Sequence, residues 1–211
     1  MPTQATIRRD PRNTGKGIST HHGFTVIELM ISLAVLAIIT SLALPSYRTI
    51  LEKRQVTSGA EQLGAFLSSA QLESVKRNQF VAVNYNANGG NWCFGMRAGD
   101  ADSVSCDCIE PDSAAGDACA LDGALKVFNS SVLNYPGVLS SATLGGDADG
   151  DADLVYDPVR GLILGADTAK LELVSDDGRY ASNVEVTVTG RVKICNPTSG
   201  KEVPGYGDCT L

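Results

Sequence analysis

The sequence predicts an α+β chain in which one long N-terminal helix is followed by an antiparallel β-sheet domain. Three observations carry the prediction. From Phe24 to Leu44 the 21 residues include a single ionisable side chain, Glu28. After Pro45 the apolar residues recur at helical spacing. Beyond Asn78 the period drops to two, with Gly, Asn and Asp between short runs. The expected segments are a leader at 1–23, a membrane-spanning helix at 24–44, its amphipathic continuation at 45–78 and a β-rich domain at 79–211.

Residues 1–23 are polar and show no periodicity, with a basic stretch of Arg8, Arg9, Arg12 and Lys16, and they have the character of a removable leader. At about 1.5 Å per residue, a helix from Phe24 to Leu44 matches the roughly 30 Å apolar thickness of a bilayer. A carboxylate near the start of such a span costs about 2.5–3.5 kcal/mol on insertion scales, so Glu28 needs a partner. The span itself holds no Lys, Arg or His. Cleavage after Gly23 would create the missing cation as the free amine of Phe24, and the helix dipole favours an acid in the first turn. Two competing readings are an ordinary secretory signal cut after Ser41-Leu42-Ala43 and a plain single-span anchor. Glu28 inside the apolar run and a helical pattern continuing beyond Ala43 count against the first.

The combination of a basic leader, Gly23-Phe24-Thr25-Val26-Ile27-Glu28-Leu29 and an uninterrupted apolar run resembles the type IV pilin-like proteins. The resemblance implies cleavage after Gly23 by a prepilin peptidase, N-methylation of Phe24 and a requirement for Glu28 in assembly. It implies an inner-membrane precursor that polymerises with other pilins on an inner-membrane assembly platform, Glu28 of one subunit meeting the Phe24 amine of a neighbour.

After the span, Val56, Ala60, Leu63, Leu67 and Ala70 fall at spacings of 4, 3, 4 and 3, one stripe along a helix that reaches about Asn78, with Phe66 beside it. Pro45 should kink or loosen this helix, and Gly59 and Gly64 should weaken it or permit close packing. Strands are expected at Phe80–Tyr85 and Trp92–Met96, joined by a turn over Asn86–Gly90, and at Ala124–Phe128, Val138–Leu144, Leu154–Tyr156, Gly161–Leu164 and Lys170–Val174. A last hairpin pairs Val184–Thr189 with Arg191–Cys195, and Val184, Val186 and Val188 should share its buried face. Arg97–Gly123 has few large apolar residues and reads as a surface excursion pinned by disulfides.

The 211-residue chain carries a formal charge of −7, and because the leader holds four bases and one acid, the part after Gly23 has 13 bases against 23 acids. Such a balance opposes nonspecific attraction to nucleic acid or anionic lipid. Six cysteines, Cys93, Cys106, Cys108, Cys119, Cys195 and Cys209, all follow the span and read as disulfides in an oxidising compartment, which puts the leader inside and the domain outside. Of the 15 pairings, Cys195–Cys209, closing a Pro- and Gly-rich loop, is the best single choice. A zinc site from the other four lacks a paired C-x2-C knuckle.

The strand content and the closing VTVTGRVKIC are similar to the GspH/FimT group of minor pilins and pseudopilins, with hardly any resemblance in the middle of the chain. The implied fold is pilin-like, and the implied function is a structural subunit of a type II secretion pseudopilus or a type IV pilus. The histidines, His21 and His22, both lie in the leader, so the remainder has no Ser-His or Cys-His activation and no enzyme is expected. In the FimT-like branch a basic C-terminal strand and loop are implicated in DNA uptake, which makes Arg191, Lys193 and Lys201 candidate nucleic-acid contacts with few phosphates to neutralise. Asp147, Asp149, Asp151 and Asp153 match the first half of a calcium loop, but Ala152 and Pro158 stand where Gly and Glu are needed. No cofactor beyond a weak calcium ion is expected, and a calcium-dependent adhesin or assembly factor is the least favoured alternative.

Overall fold

A computed structural model describes residues 23–88, 91–100, 104–131, 139–143, 153–164, 168–198 and 202–209, by backbone alone at 44–46, 88, 139–143 and 153. The chain divides into two compact units, Met1–Leu44 and Pro45–Leu211. One helix, α1 (Val26–Arg77), runs through both. Pro45 lies inside this helical run.

In the second unit α1 presents the stripe that its spacing predicts: Val56, Ala60, Leu63, Leu67 and Ala70 are all fully buried. The helix stops in a Schellman arrangement. Asn78 takes a left-handed φ of 52°, Asn78 N donates to Val75 O, and Gln79 N donates to Ser74 O at 3.2 Å, which satisfies carbonyls that the helix end would leave bare.

Among the described residues the chain then builds three antiparallel sheets, two large ones and one of two strands. The first has the order β5 (Val127–Asn129), β2 (Asn91–Gly99), β1 (Phe80–Asn88), β7 (Asp153–Tyr156), β8 (Ile163–Leu164). The second has the order β11 (Val192–Cys195), β10 (Ala181–Thr187), β9 (Thr168–Val174), β6 (Leu139–Thr143). Inward residues of both sheets, among them Val81, Phe94, Leu154, Leu171 and Val184, share one core with the helix stripe. Phe66 reaches this core against Phe128, their rings 6.0 Å apart.

Three strand expectations need correction. The β1–β2 pairing continues through Ala87↔Trp92 and Asn88↔Asn91, so most of the expected turn is strand, and Gly89 and Gly90 lie outside the described residues. Ala124–Phe128 is two strands. Lys126 is the crossover, donating to Cys119 O on one side and accepting from Met96 N on the other, so β4 (Ala124–Leu125) pairs with β3 (Ala120–Leu121) while β5 joins the first sheet. Val188 is 40% exposed rather than buried with Val184 and Val186, because β10 ends at Thr187 and Val188 already belongs to the turn.

That turn closes at Gly190, with φ 74° and a hydrogen bond from Thr187 N to Arg191 O. Against it lies Gln71 of α1, whose Nε2 donates to Gly161 O at 2.8 Å and to Thr189 O at 3.2 Å. One helical amide thus joins the edge of the first sheet to the hairpin of the second. Glu52 accepts from Arg179 at 2.9 Å and Glu61 accepts from Tyr206 Oη at 2.6 Å, which fastens two more loops to the same helix.

Gly64 on the helix and Gly190 against it behave oppositely. A Cβ at Gly64 would meet Val192 and Ile194 at an ordinary 3.5 Å, whereas one at Gly190 would overlap the Gln71 amide and the Gly161 carbonyl. Gly64→Ala should therefore raise stability by up to about 1 kcal/mol through helix propensity, and Gly190→Ala should lower it by about 1–3 kcal/mol. Thermal melting of the two variants checks the contrast.

At the Glu52–Arg179 latch, desolvation works against ionisation of Asp177. Hydrogen bonds from the Arg179 backbone and guanidinium and from Ser175 Oγ outweigh it and hold the carboxyl at about 2. A depressed folded value means stability present above the ordinary carboxylate range and lost as pH falls through it, here from about pH 4 toward pH 2. The melting temperature of Asp177→Asn should fall less steeply than that of the parent over this window.

Candidate functional site

The first unit is the apolar part of α1. Every residue from Gly23 to Ala43 is exposed, including Val26, Ile27, Leu29, Met30, Ile31 and Leu33, so this surface finds no cover within its own unit. The helix is long and apolar enough to cross a membrane. Its hydroxyl side chains turn inward on the backbone: Ser32 Oγ donates to Glu28 O at 2.7 Å, Thr40 Oγ1 to Leu36 O at 2.9 Å and Ser41 Oγ to Ile38 O at 2.8 Å. These three hydroxyls thus find acceptors within the helix itself.

Gly23, Phe24 and Thr25 precede the helix, and Phe24 is 82% exposed. Thr25 is the N-cap: its Oγ1 accepts from Glu28 N at 3.3 Å, and its carbonyl accepts from Leu29 N at 3.2 Å. Thr25 and Glu28 thus occupy the spacing of a capping box, with the carboxylate in the first turn where the dipole favours it. The role of Thr25 was not read from the sequence, although T-x-x-E before an apolar run is its signature.

The cysteines form Cys93–Cys108, Cys106–Cys119 and Cys195–Cys209. None is left free, so the four-cysteine zinc reading fails for want of thiolates. Glu185, Cys195 and Cys209 also lie together, but two of the three donors are a disulfide. The excursion after β2 is stitched down by Asn84 Oδ1 accepting from Cys106 N at 2.9 Å, by an Arg97–Gly116 hydrogen bond and by an Arg77–Asp122 ion pair. Gly95 is its seat, because a Cβ there would overlap Cys119 Sγ and crowd Cys108 Cβ at 2.9 Å. The loop closed by Cys195–Cys209 is organised by buried Asn196, which bonds to Val203 N, Val203 O and Tyr206 O.

Arg191 is exposed just before β11, and Lys193 is exposed on it. Glu185 stands opposite Lys193 on one side and Lys170 on the other, so an acid interrupts the basic row. Lys201, Asp147, Asp149 and Asp151 lie outside the described residues, and Asp153 pairs with Asn84 at the start of β7.

The family model for type II transport protein GspH matches residues 59–190, from the packed half of α1 to the turn after β10. The chain belongs to the GspH family. Residues 18–44 of this GspH-family protein match the prokaryotic N-terminal methylation motif, which takes in Gly23, Phe24 and Glu28. The family comprises pilin-type structural subunits rather than enzymes. The GspH match runs through the middle of the chain, where the sequence reading found hardly any resemblance, and stops before Arg191. An uncharacterised Haemophilus influenzae protein is 29% identical over 91 residues, 42% of this chain and 52% of that protein. A Pseudomonas aeruginosa fimbrial protein is 32% identical over 60 residues, 28% of this chain and 39% of that protein. The chain thus matches about half or less of these relatives' lengths. The crystal structure of the type IV minor pilin FimU from Pseudomonas aeruginosa is 14% identical, with a TM-score of 0.45 over 74% of this chain and 96% of that one.

Thr25→Ala should cost the first turn about 1 kcal/mol. Hydrogen exchange at the Glu28 and Leu29 amides of the full chain in detergent should then quicken about fivefold.

Proposed function

We propose that this GspH-family protein is a minor subunit of a pseudopilus or type IV pilus, cut after Gly23 by a prepilin peptidase and N-methylated at Phe24. The observation that carries the reading is an apolar helical surface, exposed along its whole length, whose single carboxylate sits in the first turn four residues from the new amine. Lipid covers that surface before assembly, and the helices of neighbouring pilins cover it afterwards. Three disulfides support an oxidising location for the second unit, which is the periplasmic side of the inner membrane.

In the filament Glu28 meets the Phe24 amine of a neighbour and sets axial register, since a lone charge among packed apolar helices is costly. The mass of the N-terminal peptide from native membranes tests the processing step. A peptide beginning at Phe24 with one added methyl is expected, and one beginning at Leu44 would overturn the reading. Glu28→Ala should be cut and inserted yet fail to enter filaments, whereas Gly23→Leu should accumulate as uncut precursor.

A further inference from the structure

At the hairpin end of β1 and β2, a cleft of about 530 Å³ opens between the first sheet and the disulfide-braced excursion. The described residues lining it are Asn86, Asn91, Asn129, Ser130 and Ser131, with Trp92, Ile109 and the Cys93–Cys108 disulfide as its apolar parts. None of them is ionisable, in a chain where charged side chains make up 19% of residues. The excursion supplies Ile109, a large aliphatic side chain left 56% exposed. Cys93–Cys108 holds that wall against β2, so the cleft is prebuilt rather than formed on binding.

From this lining we infer that the cleft binds a neutral saccharide. The amides of Asn86 and Asn91, both exposed, each offer two donors and an acceptor, and the Ser130 and Ser131 hydroxyls each offer one donor and two lone pairs, a set that suits closely spaced sugar hydroxyls. The apolar wall of Ile109 and the disulfide suits the C–H face of a pyranose. A charged sugar or an acidic peptide would be desolvated without a counter-charge, which is costly. A peptide reading its way in by main-chain hydrogen bonds is less well served, because the Ser130 N–H is already donated to Trp92 O at 3.0 Å. The inference does not depend on the filament role proposed above.

Trp92, the only tryptophan of the chain, is just 3% exposed and packs on Phe94 and Phe128, so binding is read by isothermal titration calorimetry rather than by its emission. The full chain in detergent should be titrated with chitotriose, cellotriose, trigalacturonic acid and the peptide Ala-Asn-Ala. Saturable heat at millimolar or lower concentration with either neutral trisaccharide, and not with the other two, is the expected result. Asn91→Ala and Ile109→Ser, both at exposed positions, should each weaken that binding about tenfold while the variants still melt cooperatively. No response to either neutral sugar, an equal response to the charged sugar or the peptide, or full binding by both variants would overturn the inference.

Discussion

A helix that is apolar on every side must always be covered by something other than water. From Phe24 to Leu42 its large side chains stand exposed within their own unit. The consequences follow in order. The hydroxyls along it fold back onto their own carbonyls, the sole carboxylate is confined to the first turn beside the N-cap, and the chain beyond Pro45 narrows to a one-sided stripe. Under the proposed reading, lipid and neighbouring subunits both cover this surface, so hydrophobic burial changes little between the two. Packing and register rather than hydrophobic burial then decide when the helix leaves the bilayer.

The outer part of α1 works in the opposite way. Its stripe is satisfied by the two sheets, and its polar flanks carry side chains that reach over to fix loops. Gln71 is the most economical of these, because a single amide ties Gly161 and Thr189 together across the sheet boundary. Gly190 makes that approach feasible through both its positive φ and its missing Cβ. Ile163 N donating to Val188 O completes the seam.

The parts of this architecture governed by local periodicity were legible in the sequence. The stripe from Val56 to Ala70, the change to period two after Asn78 and the alternation of Val184 and Val186 each correspond to the structure. What was not legible depends on contacts distant in sequence. Lys126 divides one apparent strand into two because its N–H and C=O serve different partners, and no local pattern encodes that. Val188 continues the alternation in the sequence but not in space, since the turn to Gly190 begins before it. Cys195–Cys209 was legible as the closure of a Pro- and Gly-rich loop, whereas the pairings Cys93–Cys108 and Cys106–Cys119 depend on the fold of the excursion, where Asn84 of β1 anchors Cys106. At the N-terminus Gly23, Phe24 and Glu28 stand out by chemistry, whereas Thr25 shows itself only through its T-x-x-E spacing to Glu28, a signal carried by the pair and not by either residue alone.

The two disulfides of the excursion overlap in sequence, Cys106 lying inside the loop closed by Cys93 and Cys108. A peptide bond broken anywhere between Ile109 and Ala118 therefore leaves both pieces covalently joined through Cys106–Cys119. Such a loop can be nicked without being shed. A single cut there separates no part of the excursion from the sheet behind it, since Cys93–Cys108 and Cys106–Cys119 both still hold.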